Sequence, residues 1–381
     1  MQMRLVSRKS TVLAVALAGT GEREGQISAE GHASVHSTYS TDVPSRLLQL
    51  SATAVLLAAV ISGCGGSSNT SKNNSTGIQH AHAPAPASLM LDFTPNAIHS
   101  GIYLAAQRGY TTAHGVNLHI EIPGESTDAP ALLIAGRVNF AILDIHDLAI
   151  ADAKGAGLVG LMAIVERPLA AVIAQHQLHS PRDLEGQTVG VTGDPSDLAV
   201  LDSEVAGSGG NPSKVKTITI GYNAVPDLAD GRVVAATAFW NDEGVQLDHQ
   251  EPGRFNIFRV ESYGAPPYPE LILCTTRSEL RRDPALARGV VESIQEGYQA
   301  VLNDPPAGAA ALEGAVNGLS STAVTQQLKA ELPAFRSLDG GKPGVLVPSV
   351  LERWSRWERR FGIVKQAPQV TDLFDTGLLA P

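Results

Sequence analysis

From Ser88 onward the chain alternates short apolar runs with amphipathic stretches, and each apolar run ends where the helical period begins. Ser88–Phe93 suits a buried strand, and Ala97–Arg108 carries Ile98, Ile102 and Ala105 at helical spacing before stopping at Gly109. The series continues with a strand at Asn117–Ile122, a helix at Asp128–Ala135, a strand at Val138–Leu143, a helix at His146–Lys154 and a strand at Leu158–Val165. A second block repeats it. Strands are predicted at Leu169–Ala174, Thr188–Val191, Lys216–Ile220, Ala235–Trp240 and Asn256–Arg259, with a helix at Asp197–Gly207 and helical turns near Ser180–Gly186 and Asp227–Asp230. Leu271–Thr275 reads as a strand leading back, and four helices follow at Pro284–Asn303, Pro306–Asn317, Ser321–Leu332 and Pro348–Phe361. Such alternation predicts an α/β layer structure with mostly parallel sheet. Two blocks with a helical tail do not suit one eight-fold barrel. They suit two lobes, one formed by 88–173 plus 275–381 and the other by 174–274, sharing a ligand cleft beyond the carboxyl ends of the strands.

The residues before Ser88 have a different texture. Residues 1–42 are polar and aperiodic, and we read them as an untranslated or disordered extension, with Val43 as the initiator. Residues 43–64 read as a secretory signal: Arg46 is the positive flank, Leu47–Ile61 is mostly apolar, and Ile61-Ser62-Gly63-Cys64 closes it. The apolar run is short of the roughly 20 residues that span a bilayer. Its ending resembles a lipobox, in which the cysteine thiol takes a diacylglyceryl group, so Cys64 is the expected lipidation site and membrane anchor. Residues 65–87 are rich in Gly, Ser, Asn and Thr and end in Ala-Pro alternation, which predicts a flexible linker. His80 and His82 lie in that linker without a neighbouring acid or cysteine, so no metal site is expected there.

Composition narrows the classes further. The 381 residues carry 38 acids against 28 bases, a formal charge of −10, which argues against nucleic acid as a partner. Two cysteines cannot build a disulfide framework or a cysteine-rich zinc site. There is no Gly-x-Ser-x-Gly elbow, no His-Glu-x-x-His signature and no P-loop lysine motif, so no catalytic set, metal or cofactor is expected.

Several stretches together resemble a known family. They are Asp92-Phe93-Thr94-Pro95-Asn96 with His99 and Tyr103, Arg167-Pro168-Leu169, Ser180–Gly186 with Gly190–Asp197, Phe239–Val245, and Tyr263–Leu271. With Trp354, Trp357 and Asp372-Leu373-Phe374 near the end, the chain is similar to the thiamine-pyrimidine-precursor-binding proteins. These are solute-binding lipoproteins of ABC importers, related to those for nitrate, sulfonate and taurine. The resemblance covers about Leu89 to Leu379 and implies a two-lobed periplasmic-binding-protein type II fold. It also implies a lipid-anchored, extracytoplasmic, monomeric protein that closes on a small heteroaromatic solute and delivers it to a permease driven by ATPase subunits. A thiamine pyrimidine precursor is the first ligand expected; riboflavin, a sulfonate or nitrate are the alternatives. Yeast enzymes of the same superfamily make a thiamine pyrimidine and carry a cysteine-rich iron motif. Cys274 is the one cysteine outside the signal, so that motif is absent and a binder, rather than a synthase, is expected.

A flat heteroaromatic needs stacking faces and a few fixed polar groups. Trp240 and Glu243 are the first candidates, a ring at a strand end with a carboxylate three residues on. Phe93 and Asn96 follow the first strand, Ser126 precedes a helix, and Asp144 and His146 end the third strand. Asp194 and Ser196 form a turn that opens a helix, where the acids argue against an anionic ligand. Tyr222, Tyr268 and His99 complete the expected set. Each has a plain structural alternative: Asn96 or Asp144 as a helix cap, Trp240 as a core ring, and Tyr222 or Tyr268 as hinge packing.

Overall fold

The computed structural model describes residues 83–379, except 125–127 and 195. The signal segment, Cys64, nearly all of the linker and Ser126 lie outside the described residues. Ten strands form two five-stranded sheets: β1 (Ala85–Met90), β2 (Val116–Glu121), β3 (Phe140–Asp144), β4 (Leu158–Val165), β5 (Ala170–Gln175), β6 (Thr188–Val191), β7 (Lys216–Thr219), β8 (Ala235–Phe239), β9 (Phe255–Arg259) and β10 (Leu271–Thr276). The first sheet has the order β2-β1-β3-β10-β4 and the second β7-β6-β8-β5-β9. The two orders have the same plan, with a strand arriving from the other lobe set between the third and last strands of each sheet. The predicted pair of α/β lobes with a helical tail is therefore present.

Three expectations need correction. The sheets are mixed, because β10 runs antiparallel to β3 and β4, and β5 antiparallel to β8 and β9. These are the strands that enter each lobe after the chain crosses over, so no helix intervenes to make them parallel. For the same reason β5 belongs wholly to the second sheet and β10 wholly to the first. The crossings lie near 166–169 and 260–270, not at 173/174 and 274/275. Finally, the Ala-Pro alternation is not all linker, since Ala85–Ala87 begin β1. Pro86 fits because it faces only Asn117 of β2, while β3 pairs with β1 solely at Leu89 and Met90, so no ladder bond asks for the missing N–H.

The strands that read as unbroken apolar runs are buried on both faces. Along β10, Leu271 and Leu273 enter one core and Ile272 and Cys274 the other, and along β5 Val172 and Ile173 divide in the same way. The tail packs on the first lobe. Helix Pro284–Asn303 buries Val290, Ile294 and Tyr298 against helix Ser100–Gln107, and the Tyr298 hydroxyl donates to the Ile98 carbonyl at 2.8 Å. Glycines permit that approach, since a Cβ on Gly297 would lie 2.0 Å from the Gly101 carbonyl oxygen. Trp354 and Trp357, on helix Pro348–Arg360, are both buried. No helix among the described residues is long and apolar enough to cross a membrane.

Candidate functional site

A cavity of about 600 Å3 opens between the sheets, walled by segments that follow the strands of both lobes. Asp92 and Phe93 come just after β1, Asp144 ends β3, Thr192 and Asp194 follow β6, Tyr222 follows β7, and Phe239, Asp242 and Glu243 lie at the end of β8 and beyond. This is the crevice outside the strand ends where open α/β sheets place ligands. Two rings meet across it: Phe93 of the first lobe and Tyr222 of the second stand edge to face, centroids 4.9 Å apart and planes at 88°.

The carboxylates on the wall are held in different ways. Asp197 accepts from the Thr192 N–H (2.5 Å), the Thr192 hydroxyl (2.6 Å) and the Gly193 N–H (3.3 Å). The amide groups that such a turn would offer an anion are thereby taken by the chain's own carboxylate. Burial pushes Asp197 above its ordinary value, with Asp194 adding to the effect and the Thr192 bonds opposing it. Glu243 accepts from the Phe239 N–H at 3.1 Å, and burial, with Asp242 beside it, pushes it up to about 8. Asp144 caps the next helix through the His146 N–H at 2.7 Å, and burial raises it well above the usual carboxylate range. Asp147, one turn along, is raised in the same way, and its Oδ1 is buried with no hydrogen-bond partner.

Six of the expected residues are brought together on this wall: Phe93, Asp144, Asp194, Ser196, Tyr222 and Glu243. Ser126 lies outside the described residues. The five others, Trp240, Asn96, His99, His146 and Tyr268, do not line this cavity. The Trp240 indole N–H donates to the Pro168 carbonyl at 3.0 Å, and the Arg259 guanidinium covers the ring at 3.8 Å, so Trp240 pins the crossing between lobes. Asn96 caps its helix through the Ile98 N–H at 3.0 Å and borders a separate cavity of about 380 Å3. His99 is fully buried, with Nε2 2.9 Å from Asp92, and so positions a wall carboxylate without reaching the cavity.

His146 and Tyr268 belong to a buried polar knot behind Asp144. His146 Nε2 lies 3.1 Å from the Tyr268 hydroxyl and 3.8 Å from Glu270, and Nδ1 pairs with Glu358. Burial alone would lower this imidazole, but Glu358, Asp144 and Glu270 outweigh it and raise it to about 10. Atoms of Asp144, His146 and Glu270 lie within 4.8 Å of one another, the one group among the described residues with the spacing to hold a metal ion. Glu270 also accepts from the N–H groups of Leu169 and Ala170, tying the two crossings together. Sequence reasoning did not select Asp92, Asp147, Thr192, Asp197 or Asp242. Asp92, Thr192 and Asp242 come one to three residues after a strand end, and Asp147 and Asp197 lie in the first turns of the helices that follow β3 and β6.

The chain resembles known proteins in both sequence and fold. It is 27% identical over 262 residues to the formylaminopyrimidine-binding protein of Halalkalibacterium halodurans, covering 68% of this chain and 76% of that protein. It is 24% identical over 213 residues to the 4-amino-5-hydroxymethyl-2-methylpyrimidine phosphate synthase of Legionella pneumophila, covering 55% of this chain and 67% of that one. In three dimensions it is similar to the alkanesulfonate-binding protein of Xanthomonas axonopodis pv. citri, with a TM-score of 0.59 at 16% identity over 77% of this chain and 98% of the other, a likeness of periplasmic-binding-protein fold. Residues 96–307 match the family described as NMT1/THI5 like, and the chain belongs to that family.

Proposed function

We propose that this protein is the solute-binding component of an ABC importer, closing its two lobes on a small heteroaromatic solute and delivering it to a membrane permease. A thiamine pyrimidine precursor, or a close aminopyrimidine, is the solute class. The observation that carries the reading is the interlobe cavity, with an aromatic ring from each lobe and carboxylates able to accept N–H bonds from a ring edge. A relative named for binding a formylaminopyrimidine supports it. A ligand touching both lobes stabilises the closed state over the open one, which is the signal a permease reads. The protein would act outside the cytoplasm as a monomer, tethered through Cys64.

A thermal-shift screen tests the reading. Aminopyrimidines are expected to raise the melting temperature, whereas nitrate and alkanesulfonates leave it unchanged, because Asp197 occupies the turn that would take an oxyanion. A response to nitrate or sulfonate alone would refute the proposal.

A second reading, synthesis on the same fold, is favoured by the synthase relative and by the Asp144–His146–Glu270 group. Lys154 also borders the cavity, but it is exposed at the end of helix Ile145–Ala153, and Cys274 is buried within β10. Mass spectrometry of solute recovered after incubation with the protein separates the two readings: a binder returns it unchanged.

A further inference from the structure

Helix Pro348–Arg360 carries different chemistry on its two sides. Val350, Leu351, Trp354 and Trp357 are buried in the core shared with β3, β4 and β10, and Glu358 on the same side pairs with His146. The opposite side carries Glu352, Arg353, Arg356, Arg359 and Arg360, all exposed, and exposed Lys365 follows the helix. Arg353, Arg356 and Arg360 run along one line, because residues three and four apart are neighbours on a helix. Five of the chain's 28 bases thus fall within residues 353–365, in a chain whose formal charge is −10. Glu352 is the one exposed acid of residues 348–365. None of the five basic side chains has an ion pair or hydrogen bond among the described residues, although Arg360 lies over the Phe361 ring, 5.3 Å from its centroid. Elsewhere on the surface Arg232, Arg254 and Arg282 are each paired with a carboxylate.

We propose that this helix face docks the protein on an anionic lipid surface, gripping the headgroup phosphates. The inference rests on the extracytoplasmic, membrane-tethered part of the function proposed above. Unpaired cations held at helical spacing repel one another, and a negatively charged surface removes that cost. Guanidinium groups present forked N–H donors that match phosphate oxygens two at a time. The buried side of the helix holds the bases in place, so docking has little backbone to order. Each base brought close to such a surface strengthens binding about fivefold. The remainder of the chain is more acidic than the whole, so an anionic bilayer favours the orientation that turns this helix toward it. No large exposed apolar residue lies within 348–365, so the face lacks the hydrophobic centre of a protein interface, which lipid phosphates do not require.

Vesicle flotation tests this with the full chain carrying Cys64→Ser, so that no lipid is attached at the expected site. Vesicles about one third phosphatidylglycerol are expected to bind at least about tenfold more strongly than phosphatidylcholine alone, with the gain lost at high salt. In the same background, Arg353→Gln/Arg356→Gln/Arg360→Gln should lose at least about tenfold of that binding while keeping its melting temperature. A control of equal net charge, Arg137→Gln/Arg182→Gln/Arg336→Gln, changes exposed arginines elsewhere and should stay within about threefold of the parent chain. Equal binding to both vesicle types, full binding by the first variant, or an equal loss in the control would overturn the inference. If anionic vesicles do not bind at all, the lipid reading is overturned and the face is left to an acidic protein partner. None of these outcomes touches solute binding, which the thermal-shift screen decides on the same protein. Should the triple variant not fold, Arg356→Glu alone serves, with an expected loss of at least about fivefold.

Discussion

The contact between the second lobe and helix Ser321–Glu331 makes a quantitative prediction about pH. Asn241 donates through Nδ2 to Glu331 Oε1 at 2.8 Å, and Gln327 donates to Asp242 beside it. The Oδ1 of Asn241 and the Oε2 of Glu331 are both buried and lack partners. A proton on Oε2 supplies the missing donor, as in a carboxylic acid paired with an amide. Burial pushes Glu331 up to about 8 from 4.5, Asn241 opposing the shift and Asp242 adding to it. The folded state thus binds a proton that the unfolded chain releases near 4.5. The stabilisation is complete below that value and is lost as pH rises toward 8, at up to about 1.4 kcal/mol per pH unit. Glu331→Gln keeps the same donor and acceptor pattern without a titrating group. It is expected to match wild type at pH 5 and to exceed it at pH 7, with a ceiling of about 3 kcal/mol. Urea unfolding at pH 5, 7 and 8.5 reads the difference. A variant that tracks wild type across that range would show that Glu331 is ionised at the contact, and the reasoning would fail.

Three further perturbations have defined outcomes. Gly297→Ala forces a Cβ against the Gly101 carbonyl, so the two helices must separate; about 3 kcal/mol of stability should be lost, read as a lower midpoint in urea. Trp240→Phe removes the bond to Pro168 and weakens the Arg259 contact, costing about 1–3 kcal/mol of stability. Solute affinity in that variant should stay within about threefold of wild type, whereas a large loss would return Trp240 to the binding site. Tyr222→Ala, at a ring 41% exposed, should leave the melting point almost unchanged. It should weaken an aminopyrimidine about tenfold through the lost ring contact, measured by calorimetry.

The elements themselves were legible because burial on both faces writes a simple signal. Leu158–Val165 is apolar at every position because both of its faces are covered, and Pro284–Asn303 shows helical spacing between a Pro start and an Asp-Pro stop. Direction was not legible. Nothing in Leu271–Thr276 says that it returns antiparallel, because direction is set by which lobe the chain has just left, a property of the path and not of the residues. Pro86 misled for a related reason. Its tolerance depends on where β3 stops pairing, which is decided about 50 residues downstream.

The site shows the same division at the level of single side chains. Apart from β1, which ends three residues before its expected end, the strand ends lie within one residue of those read from the sequence, but successive side chains there point to opposite faces. Phe239 lines the cavity, and Trp240, one step on, turns away to Pro168 and Arg259. The aromatic most attractive by type is therefore turned away from this cavity by parity. The loop residues Phe93 and Tyr222 met across the cleft, where no strand register constrains them. Acids were the steadier guide because their burial must be accounted for. His99, Thr192 and the Phe239 amide each explain one carboxylate on the wall, and the Ser196 hydroxyl accounts for a further one, Asp147.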